Sequence, residues 1–509
     1  MDRQQVKRLL KRRERAVGKT AQWMDLLKAA YRHAIPNRDS WENYSPGTNM
    51  NDEVYDTTLA SATKKFVHNA INALMPPNKQ FLKLVAGAEI QDDQRQQINE
   101  ALQKITDTFF FYLDKSNFNL VIYEALMDMS ISTGVLQINE GDDENPLVFS
   151  AVPSDQISFD TGPRNDFNAF FRDWYKLKPE YALELWPDFV LPQKYVGRDA
   201  DTIEMTLYEI SFYCYQDRVY KYVIVDKDSS DVCYYRESES WEWVAFRMNV
   251  LSGEDRGRGV VLDALPSALS INQAIYDELA AAAMQAQPTY MAYTDSIINP
   301  YTFKIEPNSI IPVQRGSSET WPIAPLPQAG NLNFTALVVQ DLRAQINEIM
   351  MTVPLMPIVD VPDRTATEVA VQQTNVRENA SAAFNRLQRE LFDPLVHRVV
   401  YILQKKGLIP QLKIDGKVVA IDYRTPLAQA KESVQYGAFM QLWQSLVGVY
   451  GPQAALQLID ATKLPRWMAE KLDADQSMVK SDLEIQAAMQ QAAEMAQQQA
   501  QMQQQQGEV

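Results

Sequence analysis

Two cysteines in 509 residues, Cys214 and Cys233, cannot build a disulfide scaffold, and they fit a reducing compartment. Histidine is nearly as scarce. His33, His68 and His397 fall in three separate helical segments, and neither they nor the cysteines have metal-ligand spacing. No apolar run reaches the roughly 18 residues that span a bilayer. The basic N-terminus is followed by no apolar signal core, so the sequence predicts no secretory signal and a chain that folds in a cytoplasm. Basic charge is also in deficit: 49 Lys and Arg against 65 Asp and Glu leave a net charge of −16. That excludes a generally basic nucleic-acid coat, whose affinity comes from Lys and Arg displacing counterions.

Catalytic signatures are missing as well. Gly18-Lys19-Thr20 has the ending of a phosphate loop, but the position that must hold its first glycine is Arg13, and the context is a basic helix. Gly253, Gly257 and Gly259 in SGEDRGRG (252–259) do not match G-x-G-x-x-G, and Glu254 and Asp255 would repel phosphate. A structural turn, where glycine accepts positive φ, is the reading preferred there. No nucleophile elbow marks a Ser-His-Asp or Cys-His arrangement. The pairs Asp226/Asp228 and Asp473/Asp475 read as solvated turns rather than Mg²⁺ sites. The sequence therefore predicts no enzyme, with no catalytic residue, no metal and no cofactor.

What is present is a chain that can bury a core, with 46% hydrophobic and 10% aromatic residues. Its length corresponds to about three to four domain-sized units. The segment 1–38 carries eleven Lys or Arg, with Val6, Leu9, Leu10, Trp23, Leu26, Leu27, Ala30 and Tyr31 at helical spacing. It reads either as a nucleic-acid arm or as a helix whose basic face docks on an acidic partner. Residues 53–75 and 91–133 read as helices, the first stopped by Pro76-Pro77. From Val135 to about Trp243 the period changes to two, which predicts an antiparallel sheet in a mixed α+β domain.

A long helix is predicted over about 263–287. A module with seven prolines follows over 288–330, then a second helix over about 332–351, with Leu337, Val338, Leu342, Ile346 and Met350 as its apolar stripe. If the two helices pack, they run antiparallel. TVPLMPIVDVPDR (352–364) is barred from helix by Pro354, Pro357 and Pro362. Thr365-Ala-Thr-Glu368 is a capping box opening the longest helix, about 366–406, which Pro394 should kink and Gly407 should cap. A short hairpin is expected around Asp415-Gly416, and helix again over 426–482. The tail holds eleven Gln among the twenty-two residues from Ile485 to Gln506. Its weak heptad stripe leaves it either helical among copies of itself or disordered.

In this order the parts resemble the portal, or head-to-tail connector, of short-tailed (podovirus-type) bacteriophages. The likeness rests on SGEDRGRG before a long helix, the proline-rich module, the second helix, the apolar proline loop, TATEV (365–369), RLQRELFDPLVHRVVYILQKKGLIP (386–410) and the Gln-rich tail. It implies a helix-rich α+β portal-type fold: an α/β wing (1–262), stem helices (263–287 and 332–351), a small β-containing clip (288–331), a tunnel loop (352–364), a long kinked wing helix (365–407), a helical crown (408–482) and a Gln-rich C-terminal barrel helix (483–509).

The resemblance further implies a homo-oligomeric ring, a dodecamer, at one capsid vertex. Double-stranded DNA would be packaged through it by the terminase large subunit and later ejected, without base readout. A tail adaptor protein and the major capsid and scaffolding proteins would be its partners, and there would be no membrane partner. Assembly would take place in the host cytoplasm and the product would reside in the virion. Under that reading Val353, Leu355, Met356, Ile358 and Val361 form a constriction around DNA, the alternative being an apolar connector packed on a neighbouring subunit. Asp341, Arg343 and Glu348 are candidate channel-lining residues of the second stem helix. A non-channel adaptor that oligomerises through its Gln-rich helix is the competing reading.

Overall fold

The computed structural model describes residues 2–36, 53–77, 79–87, 89–90, 92–199, 202–286, 290–292, 323–325, 332–352, 385–412, 414, 416–425, 439–451 and single positions from 458 to 468. The chain is mixed helix and sheet, and it divides into two compact units: residues 1–69 with 115–406, and residues 70–114 with 407–509.

The first unit opens with α1 (Arg3–Ala21) and α2 (Met24–Ala34), a break at residues 22–23 dividing what the periodicity predicts as one helix. The Asp2 N–H donates to Gln5 Oε1 at 3.2 Å, satisfying an otherwise orphaned donor at the helix start. A third helix, α3 (Thr58–Leu74), begins later than the expected residue 53, because Asp56 Oδ1 accepts the Thr58 N–H at 2.9 Å and caps it there.

In the second unit β1 (Leu82–Ala86) is followed by α4 (Asp92–Lys115), whose last residue already belongs to the first unit. Back in the first unit come α5 (Phe118–Ile131), β2 (Thr133–Glu140), β3 (Leu147–Ala151), β4 (Ile157–Thr161), β5 (Phe167–Leu177) and α6 (Pro179–Leu185). Then follow β6 (Met205–Cys214), β7 (Val219–Asp226), β8 (Val232–Ser238) and β9 (Trp243–Arg247). The predicted strand-rich region thus forms two antiparallel sheets, one of order β4-β5-β6-β7-β8 and a smaller one of order β3-β2-β9.

The larger sheet is covered on both faces, and the period of two decides which residue goes where. Ile210 and Phe212 of β6 with Val223 and Val225 of β7 meet Val6, Leu9 and Ala16 of α1. Their neighbours Met205, Leu207, Tyr222 and Ile224 face the other way, onto Ala182, Trp186 and Phe189. Trp243 and Ala245 of the smaller sheet pack with Ile157, Phe159 and Phe170. The basic helix therefore finds its acidic partner first within its own chain: Arg12 pairs with Asp160, Arg13 with Asp173, and Lys19 lies 3.8 Å from Asp255.

Two long helices follow, α7 (Val260–Ala286) and α8 (Leu332–Ile349), which pack on one another. Between them, Tyr290–Ala292 (β10) and Ile323–Pro325 (β11) pair antiparallel. That pairing brings the end of α7 to the start of α8, so the helices run in opposite directions. The long helix expected over 365–407 is described from residue 385. Its segment Gln388–Phe392 is π-helical and leads into α9 (Asp393–Lys405), with Gly407 at φ +71° closing it. Pro394 has no N–H to offer the Glu390 carbonyl, and a widened turn just before it accommodates that loss.

In the second unit, β12 (Val419–Tyr423) pairs antiparallel with β1, Leu82 opposite Tyr423. The strand anticipated in a local hairpin around Gly416 takes this distant partner, while the turn itself keeps an isolated bridge between Ile414 and Val419 and the Gly416 N–H on the Val419 carbonyl at 2.9 Å. Thr106 Oγ1 and Asn99 Oδ1 of α4 accept the N–H groups of Leu84 and Ala86 at 3.1 and 2.8 Å. Phe81 and Phe110 meet edge-on at 5.1 Å between centroids. A helical stretch over 439–450 lies further on, and the expected barrel helix (483–509) falls outside the described residues.

Candidate functional site

On α8, Val339, Ile346 and Met350 are the buried face. Leu337 and Val338, expected in the buried stripe, are 67% and 41% exposed. The packing partner α7 likewise leaves Leu269, Tyr276 and Leu279 exposed. Both helices thus carry apolar side chains that the described residues leave wholly or partly uncovered, Tyr276 meeting the Tyr55 ring at 5.2 Å between centroids.

The three candidate lining residues of α8 do not act together. Asp341 and Glu348 lie seven residues apart, nearly two full turns, and so share an exposed face with Gln345, whose amide is 3.5 Å from Asp341 Oδ2. Arg343 stands about 200° from Asp341 around the helix. Its Nη2 and Nε donate to Asp56 Oδ2 at 2.7 and 3.1 Å. Burial pushes the Asp56 carboxyl up. The hydrogen bonds from Thr58 and Arg343 outweigh that and hold it below its ordinary value.

The same short segment is fastened from α7. Asn272 Oδ1 accepts the N–H groups of Tyr55 and Asp56, at 2.7 and 3.3 Å, while its Nδ2 donates to the Glu53 carbonyl at 2.9 Å. Asn272 and Arg343 thus clamp residues 53–56 from the two antiparallel helices. Periodicity missed Asp56 and Asn272, because it placed 53–56 inside a helix. The available signal was the Asp-x-Thr cap.

The end of α8 is equally fixed. Met351 adopts φ +48°, and Thr352 Oγ1 donates to the Asn347 carbonyl at 3.1 Å. Asn69 Nδ2, from α3, donates to the carbonyls of Met351 and Thr352 at 3.2 and 3.3 Å. Val353, Leu355, Met356, Ile358 and Val361, the proposed constriction, lie outside the described residues.

The SGEDRGRG segment is a structural turn, but its glycines serve two different ends. Gly253 has φ +90°, in the left-handed region. Gly257 and Gly259 are instead close-approach residues: a Cβ on Gly259 would stand 2.0 Å from the Ser130 carbonyl oxygen, and one on Gly257 2.6 Å from that of Ser132. Just before them Arg256 is fully buried, donating to Ser154 Oγ at 2.8 Å and to the carbonyls of Ser154 and Ile157 at 3.1 and 2.5 Å. Burial lowers its pKa to about 10. Arg258 pairs with Glu254 at 2.7 Å and lies over the Trp23 ring.

A further buried pair ties the π-helical segment to the smaller sheet. Arg247 Nη2 and Nε donate to Glu390 at 2.7 and 3.1 Å, and the Arg247 backbone N–H donates to the same carboxylate at 3.0 Å. Nothing in the local sequence around Arg247 announces this contact. Towards the other end of β2, buried Arg398 of α9 donates to the Ile138 carbonyl and Ser240 Oγ, at 3.1 and 2.8 Å. Among the described residues no three His, Cys, Asp or Glu side chains gather as a metal site. Nor is any described helix long and apolar enough to cross a membrane.

The family model described as bacteriophage head to tail connecting protein matches residues 6–479. The chain belongs to that family. A connector of this kind is a structural component of the virion, assembled with capsid and tail proteins. Among solved structures, the connector is similar to a chain of the virion of a native gene transfer agent particle. The identity is 11%, with 83% of this chain and 95% of that chain covered and a TM-score of 0.35. No curated protein matches.

Proposed function

We propose that this connector is one protomer of a ring-shaped portal channel at a single capsid vertex, a dodecamer of the short-tailed type. Double-stranded DNA is packaged through it by the terminase large subunit and later ejected, and the tail adaptor is joined to it. The observation that carries this reading is the uncovered apolar surface on the α7–α8 pair, namely Leu269, Tyr276 and Leu279 on one helix and Leu337 and Val338 on the other. Burying such side chains gains about 25 cal/mol per Å² of apolar area, and the second copy that buries them in a closed ring is identical to the first.

The net charge of −16 supports the same reading. DNA carries one negative charge per roughly 1.7 Å, and a conduit must not hold it in a deep, salt-dependent well. Asp341 and Glu348 on one exposed face of α8 are the lining candidates that fit this demand, and Arg343 is occupied by Asp56. The connector itself is a passive conduit rather than an enzyme. The work of packaging comes from the terminase.

Mass measurement and electron microscopy of the purified protein test the proposal. A ring with a hole that admits duplex DNA is expected. A species of 58.0 kDa, or an assembly without such a hole, overturns it. Truncation after Lys480 separates it from the adaptor reading: a channel held by its paired helices keeps its oligomer, and an adaptor joined through the Gln-rich helix loses it.

A further inference from the structure

Helix α1 carries a row of cations that no carboxylate of the described residues pairs with. Arg3, Lys7, Lys11 and Arg15 are all exposed and recur every fourth residue, a rise of about 6 Å per step. Like charges at i and i+4 destabilise a helix by about 0.2–0.5 kcal/mol per pair, and this row contains three such pairs in succession. The apolar face of α1 is spent on the sheet, and Arg12, Arg13 and Lys19 are spent on Asp160, Asp173 and Asp255. Among the described residues none of Arg3, Lys7, Arg8, Lys11 and Arg15 has a carboxylate partner, while Asp2 and Glu14 are the exposed acids of α1 and its cap.

Beside the row lies an open groove of about 580 Å³, lined by Arg8, Lys11, Arg12, Arg15, Lys221 and Tyr235 among others. Its one carboxylate, Asp217, is already taken by Lys221. The concentration of positive charge is local, since the chain as a whole is acidic.

We propose that this ridge and groove form an outward-facing site for the phosphate backbone of duplex DNA, separate from the conduit. An even row of cations matches a ligand whose own charges are evenly spaced, and the step along α1 is comparable with the separation of successive phosphates on one strand. Arginine forks at Arg3, Arg8 and Arg15 suit phosphate oxygens, which they engage in pairs. An acidic polypeptide presents such a repeat only where its own acids are regularly spaced along a helix or strand. Contacts of this kind position a duplex without reading its bases.

The test is binding of covalently closed circular DNA by the full-length assembly. A closed circle cannot thread a closed ring, so its binding reports the outer surface whatever the conduit does. Five phosphate contacts per engaged protomer predict a slope of log affinity against log salt of about −4.5, roughly a 500-fold loss between 50 and 200 mM. The triple variant Lys7→Gln/Lys11→Gln/Arg15→Gln should reduce that slope to about −2, roughly a tenfold loss over the same range, with α1 intact by circular dichroism. Lys7→Arg/Lys11→Arg should bind as the wild type does. Two wild-type measurements stand even if the triple variant fails to fold. Absence of salt-dependent binding to the circle overturns the proposal. So does displacement of the circle by a polyglutamate of equal charge at lower concentration than by linear duplex, which would assign the ridge to an acidic protein.

Discussion

Arg343 and Asp56 stand 287 residues apart in sequence, yet both guanidinium donors of the arginine fall on one oxygen of the aspartate, at 2.7 and 3.1 Å. The other oxygen caps α3, so one carboxylate joins a helix start to the second long helix. Replacing Arg343 by Gln should cost about 1 kcal/mol at neutral pH. This is a modest value, because Arg343 is half exposed while the Asp56 side chain is 6% exposed. The Asp56 pKa is lowered in the folded state, so its contribution is fully present above the ordinary aspartate value of 3.8 and is lost as pH falls through the lowered one. The gap between wild type and variant in thermal unfolding should therefore close on acidification below that value. A gap that persists in acid means that the pairing is not what Arg343 contributes.

The glycines separate in the same assay. Gly259→Ala must push a methyl against the backbone at Ser130, which cannot give way cheaply, and should destabilise by about 3 kcal/mol or prevent folding. Gly253→Ala meets no neighbour but must hold φ +90°, at a cost of about 1 kcal/mol or more. Gly18→Ala, inside α1 with nothing within 4 Å, should stabilise by about 0.5–1 kcal/mol. Destabilisation by Gly18→Ala would show a demand on that glycine beyond its helix.

Glu390→Gln removes the charge opposite Arg247, which is 2% exposed, and leaves a buried guanidinium facing a neutral amide. A loss of about 3 kcal/mol is expected, the low end for a broken buried pair because Glu390 retains some solvent contact. Hydrogen exchange should localise the loosening to 388–392 and to β9. Exchange that rises uniformly instead would assign the pair no local role.

Under the proposed channel function, serine at Leu355, Met356 and Ile358 together should leave the size of the assembly unchanged while packaging or retention of DNA falls. Particles that no longer assemble would make 353–364 a contact between protomers.

The sequence made the paired helices, the period-two region and the SGEDRGRG turn legible, because each depends on short-range spacing. The spacing at Leu337, Val338, Leu342, Ile346 and Met350 correctly announces a helix. It does not say that Leu337 and Val338 stay exposed in a single chain, since periodicity marks apolar faces without naming what covers them. The pairing of β1 with β12 was illegible for another reason. Strand partners far apart in sequence leave no local mark, whereas the Asp415-Gly416 turn suggested a nearby one. Charge singles out Arg343 in the sequence, and the structure pairs that charge with Asp56. Only the fold brings residue 56 to that place.

The anchorage at the end of α8 has a mechanical consequence. Asn69 holds two successive carbonyls, of Met351 and Thr352, and Thr352 is tied back to Asn347. Tension on the chain at Thr352 is thus borne by a side chain of α3 before it reaches the last coil of α8. The load is handed sideways between helices, and a tug there does not begin by unravelling α8 itself.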